Sequence, residues 1–167
     1  MNITNNNENA NHTAHFNEAV CEWVNATHFI TLSLCQGRAI PNENGGVSWL
    51  RGDDTIYTQM HTGFMESLSK RLATRSAWKH HRAILRSAFA IEGGTNGQLV
   101  HAHLIVAKPD ELDEVRFRIM FYRNAARNPW CMNGAYAVRI RGIDSVAEKS
   151  RSARYTTKDG FDRMSFT

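Results

Sequence analysis

The chain reads as an α+β fold: a ferredoxin-like, split βαβ sandwich with a central antiparallel sheet and helices on one face. Three observations predict it. The elements follow in the order strand, helix, hairpin, helix, strand, helix. A central hairpin turned by Asn96-Gly97 makes its strands antiparallel, because Asn and Gly tolerate the positive φ of a type I′ turn. The strands alternate apolar with polar side chains, so one sheet face is covered and the other is left open.

In chain order, residues 1–17 are rich in Asn and almost without large apolar side chains, which predicts a flexible arm ahead of a single domain over 18–167. His28 to Cys35 is the first strand, with His28, Ile30, Leu32 and Leu34 on one face and Phe29, Thr31 and Ser33 on the other. A loop containing Gly and Asn follows, from Gln36 to Asp54. From Thr55 to about Trp78, the residues Ile56, Met60, Phe64, Leu68 and Leu72 recur every four positions, the mark of an amphipathic helix on a core. Ala83 to Glu92 is the next strand, with Leu85, Phe89 and Ile91 on one face and Arg86, Ala88, Ala90 and Glu92 on the other. Its partner is the run from Val100 to Val106. Pro109, Asp110 and Glu111 open a helix that carries Leu112, Val115, Ile119 and Tyr122, and Asn128-Pro129 ends it. Ala135 to Arg141 alternates as a strand, and Ser145-Val146-Ala147-Glu148 is a capping box that starts a last helix, with Gly160 as its stop.

With 167 residues and 42% hydrophobic content the chain can bury one core. There is no charged start followed by an apolar stretch and no long apolar run, which predicts an intracellular, cytoplasmic protein, nuclear in a eukaryotic host, with no membrane partner. Cys21, Cys35 and Cys131 are odd in number and widely spaced, which argues against a disulfide scaffold or a zinc finger. A net charge of +4 is compatible with a polyanionic partner. Its distribution tells more: Lys70, Arg71, Arg75, Lys79 and Arg82 cluster at the end of a predicted helix, while Lys149, Arg151, Arg154 and Lys158 surround Tyr155.

The chemistry is concentrated in Val100-His101-Ala102-His103-Leu104-Ile105-Val106. In a strand, His101 and His103 point the same way. Counting back from an Asn96-Gly97 turn sets Gly93 opposite Val100 and Glu92 opposite His101, on that same face. Directly opposed residues have Cβ atoms about 5 Å apart, so Glu92, His101 and His103 can reach one divalent cation. Two nitrogens and one oxygen suit manganese, magnesium or zinc, and nucleic-acid chemistry favours Mn²⁺ or Mg²⁺. Tyr155 and Lys158 sit three apart on the last helix and project to one side, which brings a tyrosine over the cation.

On these residues the chain resembles the HUH endonuclease superfamily, specifically the single-tyrosine rolling-circle replication initiators of plasmids and small single-stranded DNA viruses. Phe29-Ile30-Thr31-Leu32-Ser33 resembles the first-strand motif, His101-Ala102-His103 the His-hydrophobic-His motif, and Tyr155-Thr156-Thr157-Lys158 the Tyr-x-x-Lys motif, in that order and over about residues 27–160. Glu92 is similar to the acidic third ligand of viral-type initiators. Conjugative relaxases are less similar, since their tyrosine lies near the N-terminus. Single-tyrosine transposases share the motif order but carry a glutamine four residues after the tyrosine, where this chain has Asp159. No Gly-x-x-x-x-Gly-Lys-Ser/Thr loop is present, so a host or separately encoded helicase is an expected partner.

The resemblance implies nicking and joining of single-stranded DNA at an origin hairpin through a 5′-phosphotyrosine, with Tyr155 as nucleophile, Lys158 easing phenolate formation or contacting the phosphate, and a divalent cation on Glu92, His101 and His103. Lys149, Arg151, Arg154 and, on the strand face of Glu92, Arg86 are the expected DNA contacts. Trp49, Trp78 or Trp130 would stack bases where they are not core. The N-terminal arm and the Gln36 to Asp54 loop are the expected readers of sequence. The rival from another class is a noncatalytic RNA-recognition-like nucleic-acid-binding module, which shares the topology but wants aromatics where the histidines stand.

Overall fold

The alternation seen in the first strand is what builds the sheet. In the computed structural model, which describes residues 15–16, 18–72, 85–94, 98–156 and 163–167, a short helix over residues 18–24 (α1) leads into β1, His28–Leu34. A hairpin of β2 (Gly37–Pro41) and β3 (Val47–Arg51) follows, then α2 (Asp54–Leu72), β4 (Ser87–Glu92) and β5 (Val100–Val106). The chain continues through α3 (Glu114–Arg127), β6 (Val138–Gly142), α4 (Val146–Thr156) and β7 (Met164–Phe166). The residues 1–14 and 17 of the N-terminal arm, the stretch 73–84 with Arg75, Trp78, Lys79 and Arg82, the Asn96-Gly97 turn, and Lys158 with Asp159 and Gly160 lie outside the described residues.

Five strands form one sheet in the order β6-β1-β5-β4-β7, and each neighbouring pair runs antiparallel. The fold is therefore α+β with a five-stranded antiparallel sheet, an order compatible with a split βαβ sandwich. The apolar sides of β1, β4 and β5 meet α2 and α3 in the main core, where Ile30, Leu32, Phe89, Leu104, Phe64 and Phe121 are all buried. Among the described residues no helix is long and apolar enough to cross a membrane.

The structure departs from the expectation of helices on one face only. A second, smaller core forms on the opposite face, where Val20, Cys21 and Val24 of α1 and Ala153 of α4 close over Ala88 and Ile105. Its reason is local: Ile105 is the apolar residue on the face of β5 that carries His101 and His103, Ala88 lies opposite it on β4, and surface of that kind is stabilised by removal from water.

Three further elements differ from the sequence reading. The loop after β1 is the β2–β3 hairpin, closed where Asn42 Oδ1 accepts from Gly46 N at 2.7 Å and Gly45 adopts φ +77°. Helix α3 starts at Glu114 rather than Pro109, because Asp113 caps it by accepting from Arg116 N at 3.0 Å. Its core side carries Phe117, Phe121 and Ala125, whereas Val115 is 62% exposed and Ile119 and Tyr122 also face out. Two stripes at helical spacing competed there, and the one with two phenylalanines has more apolar area to bury. The capping box of α4 forms with a shifted partner: Glu148 N donates to Ser145 Oγ at 3.2 Å, and the Glu148 carboxylate accepts from Asp144 N at 2.9 Å.

Candidate functional site

Opposite the main core, the sheet carries three cross-strand rows. Ser33, His101 and Glu92 form one, since Ser33 pairs with His101 and His101 with Glu92. The opposition of Glu92 and His101 is the register that an Asn-Gly turn predicts. Arg139, Thr31, His103 and Ala90 form the next row, and Arg141, Phe29, Ile105 and Ala88 the third. Helices α1 and α4 cover the third row at Ile105 and Ala88, so the polar rows remain as the floor of a cleft of about 630 Å³ with Tyr155 on its wall.

Each histidine is oriented from β1. His103 Nδ1 lies 3.2 Å from Thr31 Oγ1, and His101 Nδ1 lies 3.5 Å from Ser33 Oγ. A hydroxyl on one ring nitrogen fixes the rotation of the imidazole and turns the other nitrogen toward the cleft. The residues resembling a first-strand motif thus have a physical role: Thr31 and Ser33 are the outward residues of β1, each across from one histidine. Glu92 reaches diagonally to His103, its Oε2 bonded to His103 Nε2.

The end of β4 that carries Glu92 is held from outside the sheet. Gly93 adopts φ +79°, and a Cβ there would collide with the Leu99 carbonyl oxygen, so only glycine fits after Glu92. Arg163 donates from Nη1 to the Gly93 carbonyl at 3.0 Å and forms a two-toothed pair with the Asp54 carboxylate at 2.8 and 2.7 Å. That ties β4, the start of α2 and the C-terminal segment together.

Tyr155 stands edge-on to two rings, 4.9 Å from the His103 centroid and 6.0 Å from that of Phe29, while Phe29 stacks on His103 at 5.5 Å. The tyrosine remains 47% exposed. Its helix is fastened to β6 by Arg141, which donates to Ser152 Oγ at 3.2 Å and lies over the Phe29 ring at 5.3 Å.

Of the sequence-predicted residues, the structure brings Glu92, His101, His103, Tyr155 and Arg151 to one cleft. Lys149 is outside the cleft lining: its backbone oxygen accepts from Cys21 Sγ at 3.4 Å, and its charge opposes the rise that burial imposes on the Cys21 thiol pKa. Arg154 is exposed on α4, outside the cleft lining. Arg86 is at the far end of β4 from Glu92, about 20 Å along the strand, where it donates to the Trp23 carbonyl at 3.1 Å and lies over the Trp23 ring at 5.8 Å. Trp130 is buried, as core packing requires, and Trp49 is 71% exposed on the β2–β3 hairpin. A larger hollow of about 880 Å³ lies round the sheet end beside Trp49, but its carboxylates are engaged, Asp53 capping α2 at Ile56 N and Asp54 pairing with Arg163.

Sequence reasoning missed Arg139, Arg141 and Tyr136 of the cleft. The first two were visible as the polar residues of Val138-Arg139-Ile140-Arg141; what was lacking was the knowledge that β6 lies beside β1.

As a cation site the donor set is chemically apt: two imidazoles with hydroxyl-fixed Nδ1 atoms and one carboxylate on adjacent positions of one face. Among the described residues no three His, Cys, Asp or Glu side chains already form an ion-holding group. Glu92 is joined to His103 Nε2, and a cation there would take the place of the proton they share.

The sequence matches no protein-family model, and no curated protein or solved structure is similar enough to register as a match.

Proposed function

We propose that this protein is a metal-dependent, sequence-specific endonuclease that nicks and rejoins single-stranded DNA through a 5′-phosphotyrosine, in the manner of HUH-type initiators of rolling-circle replication on a plasmid or small virus. One observation carries the reading: cross-strand register sets Glu92 against His101, beside His103, and the ring of Tyr155 stands 4.9 Å from that of His103. A nucleophile beside a carboxylate and two imidazoles in an arginine-lined cleft suits attack on a phosphodiester.

The chain's own residues divide the work as follows. Glu92, His101 and His103 would hold a divalent cation, which supplies charge neutralisation at the phosphate oxygens when bound. Thr31 and Ser33 keep the two imidazoles turned toward it. The Tyr155 hydroxyl gives up its proton and attacks phosphorus; the bond to the 3′ oxygen breaks, and that oxygen leaves as a hydroxyl once protonated. The phosphoryl bond energy stays in the tyrosine ester, so a later attack by a 3′ hydroxyl rejoins the strand without ATP. Lys158, by its position in the Tyr-x-x-Lys run, is assigned to the phosphate or the phenolate.

The test is a denaturing gel of the purified protein with labelled single-stranded oligonucleotides from the flanks of its own gene, in Mn²⁺ or in EDTA, with Tyr155→Phe alongside. A protein–DNA adduct that resists SDS, needs the metal and vanishes in the variant is expected. Binding without any adduct across that set, with metal present and Tyr155 intact, would overturn the reading.

A further inference from the structure

We propose that the β6 side of the cleft is the path of the DNA strand, with Arg139 and Arg151 binding consecutive phosphates and the ring of Tyr136 stacking on a base. This rests on reading the cleft as a DNA site, and it adds which wall the strand follows. The cleft lining holds three guanidinium groups, from Arg139, Arg141 and Arg151, against the single carboxylate of Glu92. Arg141 is committed to Ser152 and the Phe29 ring. Arg139 and Arg151 are exposed and make no hydrogen bond or ion pair among the described residues, so two cations face the cleft with their donors unspent.

Their placement is directional. Arg139 shares a cross-strand row with Thr31 and His103, two strands from the histidine and so about 10 Å from it at the backbone. Arg151 lies one turn before Tyr155 on α4. Between them, β6 and α4 make a basic wall on one side of the histidines, whereas on the other side β4 offers Ala90 and Glu92 to the face beyond the covered Ala88. A guanidinium fork suits a phosphodiester because it gives parallel N–H donors in one plane. Tyr136, just ahead of β6, is 80% exposed and lines the same cleft, as a side chain that takes an unpaired base on its ring does.

The experiment is fluorescence anisotropy of the full chain with a labelled 12-nucleotide oligothymidylate in EDTA, across a salt series, for wild type, Arg139→Ala, Arg151→Ala, the double variant, Tyr136→Ala and Arg86→Ala. Each arginine variant is expected to weaken binding roughly five- to tenfold. The double variant is expected to flatten the slope of log K against log salt by about 1.4, at about 0.7 for each single-strand phosphate that is no longer neutralised. Tyr136→Ala is expected to weaken binding by about fivefold or more with the slope unchanged, and Arg86→Ala to change neither. Circular dichroism checks that each variant folds. Wild-type affinity and slope in the double variant, or no binding by the wild type, would overturn the inference. Because cleavage is not needed, binding that depends on both arginines from a protein that never forms an adduct sinks the nicking reading alone. Adduct formation with unaltered binding in the double variant sinks the strand path alone.

Discussion

Two buried histidines press against opposite faces of the same sheet, and their surroundings give them opposite characters. His61 of α2 is sealed in the main-core side, stacked on Phe89 at 4.6 Å, with Nε2 2.7 Å from Ser87 Oγ and Nδ1 2.8 Å from Ser165 Oγ. Both partners are hydroxyls, which serve a neutral imidazole as donor on one side and acceptor on the other. Burial without a counter-charge pushes its pKa down to about 3. His103 also has one hydroxyl partner, Thr31, but its other nitrogen meets the Glu92 carboxylate at the floor of an open cleft. The difference teaches that two imidazoles at similar depth can sit in opposite chemical settings. His103 has a charged partner and a cleft beside it, and among the described residues His61 has neither.

That contrast breaks at its strongest point if the histidines can be exchanged in effect. His103→Ala and His101→Ala are expected to lower metal-dependent adduct formation by about a thousandfold or more, on the scale of losing a metal ligand, with thermal unfolding little changed; adduct yield on the denaturing gel measures it. His61→Ala is expected to do the reverse. It leaves a cavity and takes one hydrogen-bond partner from each of the Ser87 and Ser165 hydroxyls, costing about 2–4 kcal/mol in urea unfolding, with the adduct yield of the folded fraction preserved.

The pH dependence sharpens the same comparison. Since the folded pKa of His61 lies below its ordinary value of 6.5, the unfolded chain takes up a proton first. Its contribution is therefore complete above about pH 6.5 and is lost as pH falls toward 3, at up to roughly 1.4 kcal/mol per unit. Urea midpoints at pH 7, 5.5 and 4.5 should fall more steeply for wild type than for His61→Ala. Parallel curves would show that the imidazole is not the group being protonated.

Smaller effects test the orienting shell. Thr31→Val keeps the shape of the side chain while removing the hydroxyl from His103, and is expected to weaken Mn²⁺ binding by about tenfold in a calorimetric titration, without loss of stability beyond about 1 kcal/mol. Smallest of all, Arg86→Ala takes the guanidinium off Trp23 and should cost less than about 1 kcal/mol; a large drop in DNA affinity would return Arg86 to the binding surface.

How much of the fold and the site is legible in the sequence depends on the range of the interaction. The faces of β1, β4 and β5 and the pairing of Glu92 with His101 follow from period-two alternation and one turn, all local to fewer than twenty residues, and the structure has them so. The start of α4 at its capping box is equally local. What stays hidden depends on which strand lies beside which. Arg139 and Arg141 line the cleft only because β6 joins β1, and alternation puts Arg86 on the face of Glu92 without telling how far along the strand the cleft extends. The face of α3 was lost to a tie between two apolar stripes, and β7, at three residues, is too short for any periodicity. His61 sits in a stripe of core residues, and nothing in its spacing tells a hydroxyl-clamped ring from a ligand.

Strands β6 and β7 lie on opposite edges of the sheet, about 19 Å apart across four strand spacings, and α4 comes between them in the chain. One mooring is Arg141 on Ser152 and the other is β7, where Ser165 meets His61 and Thr167 meets Ser87. Under the proposed function, a phenol that the fold already holds beside His103 has a high effective molarity, and the entropy of placing it is spent during folding rather than at the moment of reaction.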